Sequence, residues 1–200
     1  IIPDAASQLK DQDSVYFVCD SEKQERAMSA FGHEEKEARR LVIFGCGNIG
    51  MFLAEALEAS EERLNVKLIE FDPERAEECA SRLSKTMVLQ GDVLDGAMMS
   101  EANMAMTETV IAVTNDDETN ILSSLLAKRE GAQRAITLIN KGEYDQLSGS
   151  MGIDVVVDSR KTTVSTILQH ARGARIHAVQ PLGEAWGAWM SADATTSSPR

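Results

Sequence analysis

Apolar residues gather in six short runs, at 41–45, 66–70, 86–90, 109–114, 135–139 and 154–158, and each run reads as a strand. Stretches with helical character lie between them. One spans 49–59. A second runs from Pro73 to about 83, with the proline in its first turn, where a missing N–H costs nothing. A third starts at Asp116 or Asp117, continues through Arg129 and stops at Gly131. This alternation predicts an α/β fold: a Rossmann-like, doubly wound, mostly parallel six-stranded sheet with helices on both faces. Right-handed crossovers then place the first and fourth strands side by side, so the segment after the first strand and Thr114 should face one crevice.

The two ends read differently. Residues 14–19 suggest a strand, and 22–31 a helix whose apolar positions Ala27, Ala30 and Phe31 follow helical spacing, with Gly32 as its stop. The polar run 33–40 reads as a charged linker, so the main domain begins at Leu41. Near the other end Val164, Ile167, Leu168 and Ala171 are spaced as one helix stripe, either an association surface or a cover for the parent sheet.

The first strand runs into Gly45-Cys46-Gly47-Asn48-Ile49-Gly50, and the second ends in Glu70, twenty positions after Gly50. Strand, glycine loop, helix and acid at these spacings form a dinucleotide fingerprint. Gly45 allows the tight turn, Gly47 lets backbone approach a pyrophosphate, and Gly50 lets helix and strand pack closely. The helix N-terminus supplies N–H groups and partial positive charge for phosphates. Glu70 suits a ribose diol and repels a 2′-phosphate, which favours an NAD-like or adenosine ligand over NADP.

Composition narrows the partners. The 200 residues are 43% hydrophobic, enough for one full α/β domain plus pieces. A net charge of −12 argues against nucleic acid and anionic membranes as electrostatic partners. No apolar run approaches a membrane-spanning length, and residues 1–30 lack the pattern of a signal peptide. The cysteines, Cys19, Cys46 and Cys79, suggest neither a disulfide framework nor a zinc site, and a reducing cytoplasm is the simplest compartment. Asp116-Asp117-Glu118 is better read as helix capping than as a divalent-metal site, because consecutive carboxylates at a helix start diverge.

Several separate motifs, in order, resemble one family: 42–50, 66–72, Gly91-Asp92-Val93-Leu94-Asp95, 112–120, 125–128, 138–141 and 152–158 are similar to the TrkA family. The match covers roughly 41–183. The resemblance implies a cytoplasmic, NAD-binding regulatory subunit of the Trk potassium uptake system, built on RCK (KTN) nucleotide-binding domains. Such proteins carry two nucleotide modules, each followed by a small regulatory domain. The implied layout is the end of a first small domain at 1–31, a linker at 32–40, a nucleotide-binding domain at 41–174, the start of a second small domain at 175–183, and an atypical tail at 184–200 that is truncated, frameshifted or disordered. The chain is then expected to be a middle slice of a longer protein. The implied partners are a Trk-type potassium-translocating membrane subunit, at the inner face of the plasma membrane, and further copies of the chain as a dimer or tetramer.

The family's ligand contacts fall on Gly45, Cys46, Gly47, Asn48, Ile49 and Gly50 for the phosphates and on Glu70 for the ribose. Asp92 and Val93 follow the third strand, where related domains contact the adenine; a loop carboxylate in a Gly-Asp turn is the other reading of Asp92. Thr114 is a ligand-facing hydroxyl or a plain strand end, and Lys141 a phosphate ligand or a solvated lysine. Arg75 pairs with Asp72 or approaches the ligand. NAD(H) is the favoured cofactor, with ATP or ADP sharing the same recognised groups. Catalysis has little support, since His33, His170 and His177 belong to no recognisable constellation. The alternative is a fragment of an NAD-dependent oxidoreductase without its catalytic domain.

Overall fold

The computed structural model describes residues 8, 19–20, 23–30, 38–60, 63–141, 144, 152–160, 162–164, 176–181 and 188–192. The chain divides into two units, 1–37 and 38–200. In the first, helix α1 (Gln24–Ala30) lies within the expected 22–31. The strand expected at 14–19 falls, apart from Cys19, outside the described residues, as do His33 and the linker through 37.

The second unit carries a parallel sheet of β1 (Arg40–Phe44), β2 (Asn65–Glu70), β3 (Met87–Gln90), β4 (Thr109–Ala112), β5 (Arg134–Ile139) and β6 (Val155–Asp158), in the order β3-β2-β1-β4-β5-β6. The helices linking β1 to β5 are α2 (Asn48–Ala59), α3 (Pro73–Arg82), α4 (Gly96–Glu101) and α5 (Asp117–Arg129), with a 3₁₀ turn at Met104–Met106. Pro73 sits in the first turn of α3, and Gly131, at φ +108°, follows the end of α5. Strand β1 starts within the expected linker, because Arg40 pairs in register with Asn65 of the neighbouring strand; the backbone N–H groups of Arg39 and Arg40 also donate to Glu108 Oε2 at 2.5 and 3.0 Å.

Neighbouring residues of β1 point to opposite faces, and each face has its own core. Val42 and Phe44 pack with Met98, Met99, Met104 and Ala127 on the side of α4 and α5. Leu41 and Ile43 pack with Met51, Ala54, Cys79 and Leu83 under α2 and α3. Being covered twice is why β1 is apolar at every position after Arg40.

One expectation is overturned. The sequence suggests no disulfide, yet Cys46 and Cys79, 33 positions apart, are disulfide-bonded with Cα atoms 6.8 Å apart. The cause is topological: β1 and β2 are parallel neighbours, so the loop leaving β1 lies beside the helix that follows β2.

Beyond the main sheet, β7 (Ile176–Pro181) and β8 (Ala188–Ala192) pair as an antiparallel hairpin. The first lies in the stretch read as the start of a small domain, the second in the stretch read as an atypical tail. Of the stripe at 164–171 only Val164 is among the described residues, and it is 55% exposed.

Candidate functional site

The central strands β1, β2 and β4 end at one edge of the sheet, and the glycine loop leaves β1 there. Gly45 turns the chain at φ +93° while its N–H donates to the Ile69 carbonyl at 2.8 Å. A Cβ at position 45 would stand 3.0 Å from the Thr114 Cα, so loop and strand β4 meet at the predicted crevice. A Cβ at Gly50 would fall 1.9 Å from the Gly45 carbonyl oxygen, which explains why α2 needs glycine in its first turn.

Gly47 is different in kind. A Cβ there meets nothing within 4 Å, so the protein's own packing does not demand glycine. Gly47 is also the N-cap of α2, with no side-chain cap and no acid in the first turn. The helix therefore presents Asn48, Ile49 and Gly50 with unfilled N–H groups. By contrast α3, α4 and α5 each have an aspartate whose side chain caps the helix: Asp72, Asp95 and Asp116.

Glu70 closes the other side. Its side chain is 8% exposed, and Oε2 accepts the Cys46 N–H at 2.6 Å while Oε1 accepts the Asp72 N–H at 3.1 Å. Both oxygens retain acceptor capacity for a hydroxyl. Glycine loop and acid are thus held in one unit.

The remaining predicted residues separate. Asp92 Oδ1 accepts the Leu94 N–H at 2.8 Å in a loop turn, and Val93 is buried in the core with Phe44 and Met98. The Thr114 hydroxyl points to α5, donating to Asn120 Oδ1 at 2.7 Å. Lys141 Nζ sits 2.8 Å from Glu118 Oε1. Hydrogen bonds from Lys141 and Tyr144 hold the Glu118 carboxyl down at about 2, and Glu118 in turn raises the Lys141 ammonium above its usual range. The Arg75 backbone N–H donates to Asp72 Oδ1 at 2.9 Å.

The three acids at the start of α5 diverge. Asp116 accepts from the Thr119 N–H at 2.8 Å, Asp117 takes the N–H groups of Asn140 and Lys141, and Glu118 pairs with Lys141. Among the described residues no cluster of histidine, cysteine or acid has metal-holding geometry.

Asn120 was not singled out in the sequence, yet it is fully buried. Its Nδ2 donates to the carbonyls of Thr114 and Leu138, both at 3.1 Å, and its Oδ1 accepts the Thr114 N–H at 2.8 Å. It locks the end of β4 to β5. The signal was an amide four positions beyond the cap, on the helix face that Ser124 and Ala127 also bury.

A parallel six-stranded sheet with an open glycine loop at its switch point and an acid ending the second strand defines the dinucleotide-binding class of doubly wound folds. The TrkA-N domain model matches residues 41–159, and the chain belongs to that family. A Trk system potassium uptake protein TrkA from Azorhizobium caulinodans is 42% identical over 195 residues, which is 98% of this chain and 43% of that protein. The chain thus spans less than half the length of this curated relative. In structure it is similar to the TrkA-N domain of the inner membrane protein ybaL from Escherichia coli, with TM-score 0.60 and 18% identity, covering 68% of this chain and 98% of that one. It is also similar to the GsuK channel bound to NAD, with TM-score 0.55 and 17% identity, covering 72% of this chain and 25% of that one.

Proposed function

We propose that this chain is the nucleotide-sensing part of a cytoplasmic regulatory subunit of a Trk-type potassium uptake system. The observation that carries the reading is the open space over Gly47 at an uncapped helix N-terminus, with Glu70 hydrogen-bonded to the same loop. That arrangement fits an adenine dinucleotide. The N–H groups of Gly47, Asn48, Ile49 and Gly50 would take the pyrophosphate, and Glu70 the ribose hydroxyls. Asp92 and Val93 would flank the adenine through the loop after β3, and Thr114 would contribute its backbone to the wall. Lys141 would reach a phosphate only by leaving Glu118. NAD(H) suits the acid best, while ATP and ADP carry the same adenosine and phosphates.

In this reading 41–174 is the nucleotide domain, 1–31 and 175–183 belong to small regulatory domains on either side, and copies of the protein pair against a potassium-translocating membrane subunit. The role is regulatory and not catalytic. Bound nucleotide gates transport only through unequal affinity for two arrangements of the assembly, and a tenfold bias corresponds to about 1.4 kcal/mol. Calorimetric titration with NADH, NAD, ATP and ADP tests the site. We expect binding without turnover when carbonyl substrates are added to NADH. A strain lacking the full protein should lose high-rate potassium uptake. No binding of any of the four, or steady NADH oxidation, would overturn the proposal.

A further inference from the structure

Cys46 is the second residue of the glycine loop, and Cys79 lies on the buried face of α3, beyond the ribose acid. They are 5% and 2% exposed, and their Cα separation of 6.8 Å is within the range a disulfide bridges. Between them in sequence lie α2, β2 and Glu70. Their bond therefore closes a covalent ring around both the phosphate loop and the acid that accepts from it. The third cysteine, Cys19, is exposed and belongs to the other unit.

We propose that Cys46 and Cys79 are a reversible dithiol–disulfide pair, a redox modification site that fastens the phosphate loop to α3 and thereby tightens adenine nucleotide binding. The second half rests on the nucleotide reading above; the first half does not. In a reducing compartment the two sulfurs are thiols that fill the core beneath α2 and α3 as small apolar groups. A peroxide oxidant converts them in two steps. One thiolate attacks a peroxide oxygen; an S–O bond forms, the O–O bond breaks, and water leaves with the thiol proton. The second thiolate then attacks that sulfur; the S–S bond forms, the S–O bond breaks, and the hydroxyl leaves as a second water. Two thiols and one peroxide give one disulfide and two waters, a two-electron oxidation of sulfur. A dithiol reductant reverses it through two exchange steps, and is itself oxidised to a disulfide.

With the pair reduced, the loop is held to β2 by two hydrogen bonds, Gly45 N–H to the Ile69 carbonyl and Cys46 N–H to Glu70. Closing the pair adds a covalent restraint, so less loop freedom remains to be lost when phosphates arrive. Because both sulfurs are nearly buried, oxidation waits on local opening of the loop, and a bound nucleotide should slow it.

The test uses the full chain carrying Cys19→Ser. It is treated with hydrogen peroxide, digested without reductant and mapped by mass. We expect one linked pair of peptides, from the segments holding Cys46 and Cys79, lighter by two hydrogens and separated by dithiothreitol. Oxidation should raise the Tm by several degrees and tighten ATP and NADH several-fold in calorimetry. Cys46→Ala and Cys79→Ala should each lose both responses. Free thiols at both positions after oxidation, in protein that still binds nucleotide, would overturn the pair. A linked pair with unchanged or weaker affinity would overturn the coupling. Linkage with no nucleotide binding in either state would establish the thiol pair and overturn the nucleotide reading instead.

Discussion

Two helices begin at the crevice from the neighbouring strands β1 and β4, on opposite faces of the sheet, and their first turns are finished in opposite ways. Strand β1 passes through Gly45, Cys46 and Gly47 into α2, whose first turn has no side-chain cap. Its neighbour β4 passes through Thr114 into α5, where Asp116 caps the helix, Asp117 holds the backbone after β5, and Asn120 fills the remaining gap. The same strand-to-helix geometry is left open in one half and completed by the protein's own carboxylates and amide in the other. Partial positive charge at a helix start attracts an anion either way. What decides whether a ligand or a side chain supplies it is the residue at the cap. The α5 half is a wall; in the proposed function the α2 half is a receptor.

The comparison is broken most directly by Gly47→Asp. An aspartate at this N-cap would satisfy α2 as Asp116 satisfies α5, so stability should be unchanged or slightly higher. Nucleotide binding should vanish, because the new carboxylate occupies and repels the phosphate position. Calorimetry and thermal melts on one preparation check both halves of this expectation. Gly50→Ala should act on the fold itself. Its Cβ would meet the Gly45 carbonyl oxygen at 1.9 Å, a backbone atom that cannot swing aside, and about 3 kcal/mol of stability should be lost in urea unfolding.

Glu70→Ala should weaken NADH by about 1.5–3 kcal/mol for each charge-assisted hydrogen bond lost, and should let NADPH compete. Competition binding measures both. In the wall, Asp116→Ala should lower stability by about 1 kcal/mol while leaving nucleotide affinity within twofold (about 0.4 kcal/mol); a larger loss of affinity would show that the wall also binds.

The smallest effect is in pH. The Glu118 carboxyl is lowered in the folded protein to about 2 from an ordinary 4.5, so its contribution is fully present above about 4.5 and is lost as pH falls toward 2. The difference in Tm between the parent and Glu118→Gln should be small near neutrality and shrink across that window, because the ion pair is solvent-exposed.

What the sequence reveals here follows from which interactions are local. The strands were legible to within one or two residues because each parallel strand is a near-continuous apolar run. The glycine loop was legible because its conformation depends on backbone and spacing. Helix α4 and the turn Met104–Met106 were not assigned: their methionines pack into the core from two short turns, with too little length to show a period. The engaged state of Thr114 was not legible either, since it depends on Asn120, six residues on and a helix turn away. The Cys46–Cys79 contact depends on sheet order and has no local signature at all.

The uncapped start of α2 also makes the molecule its own reporter. The amides of Asn48, Ile49 and Gly50 lack intrahelical acceptors, whereas the amides of Ser84, Lys85 and Thr86 at the other edge of the sheet are all taken up by the carboxylate of Glu58. In deuterated water the first group should exchange quickly and the second slowly. An arriving anion should then slow exchange at those three positions while the Glu58 amides stay as they were, an occupancy signal that requires no label and no knowledge of which nucleotide has come.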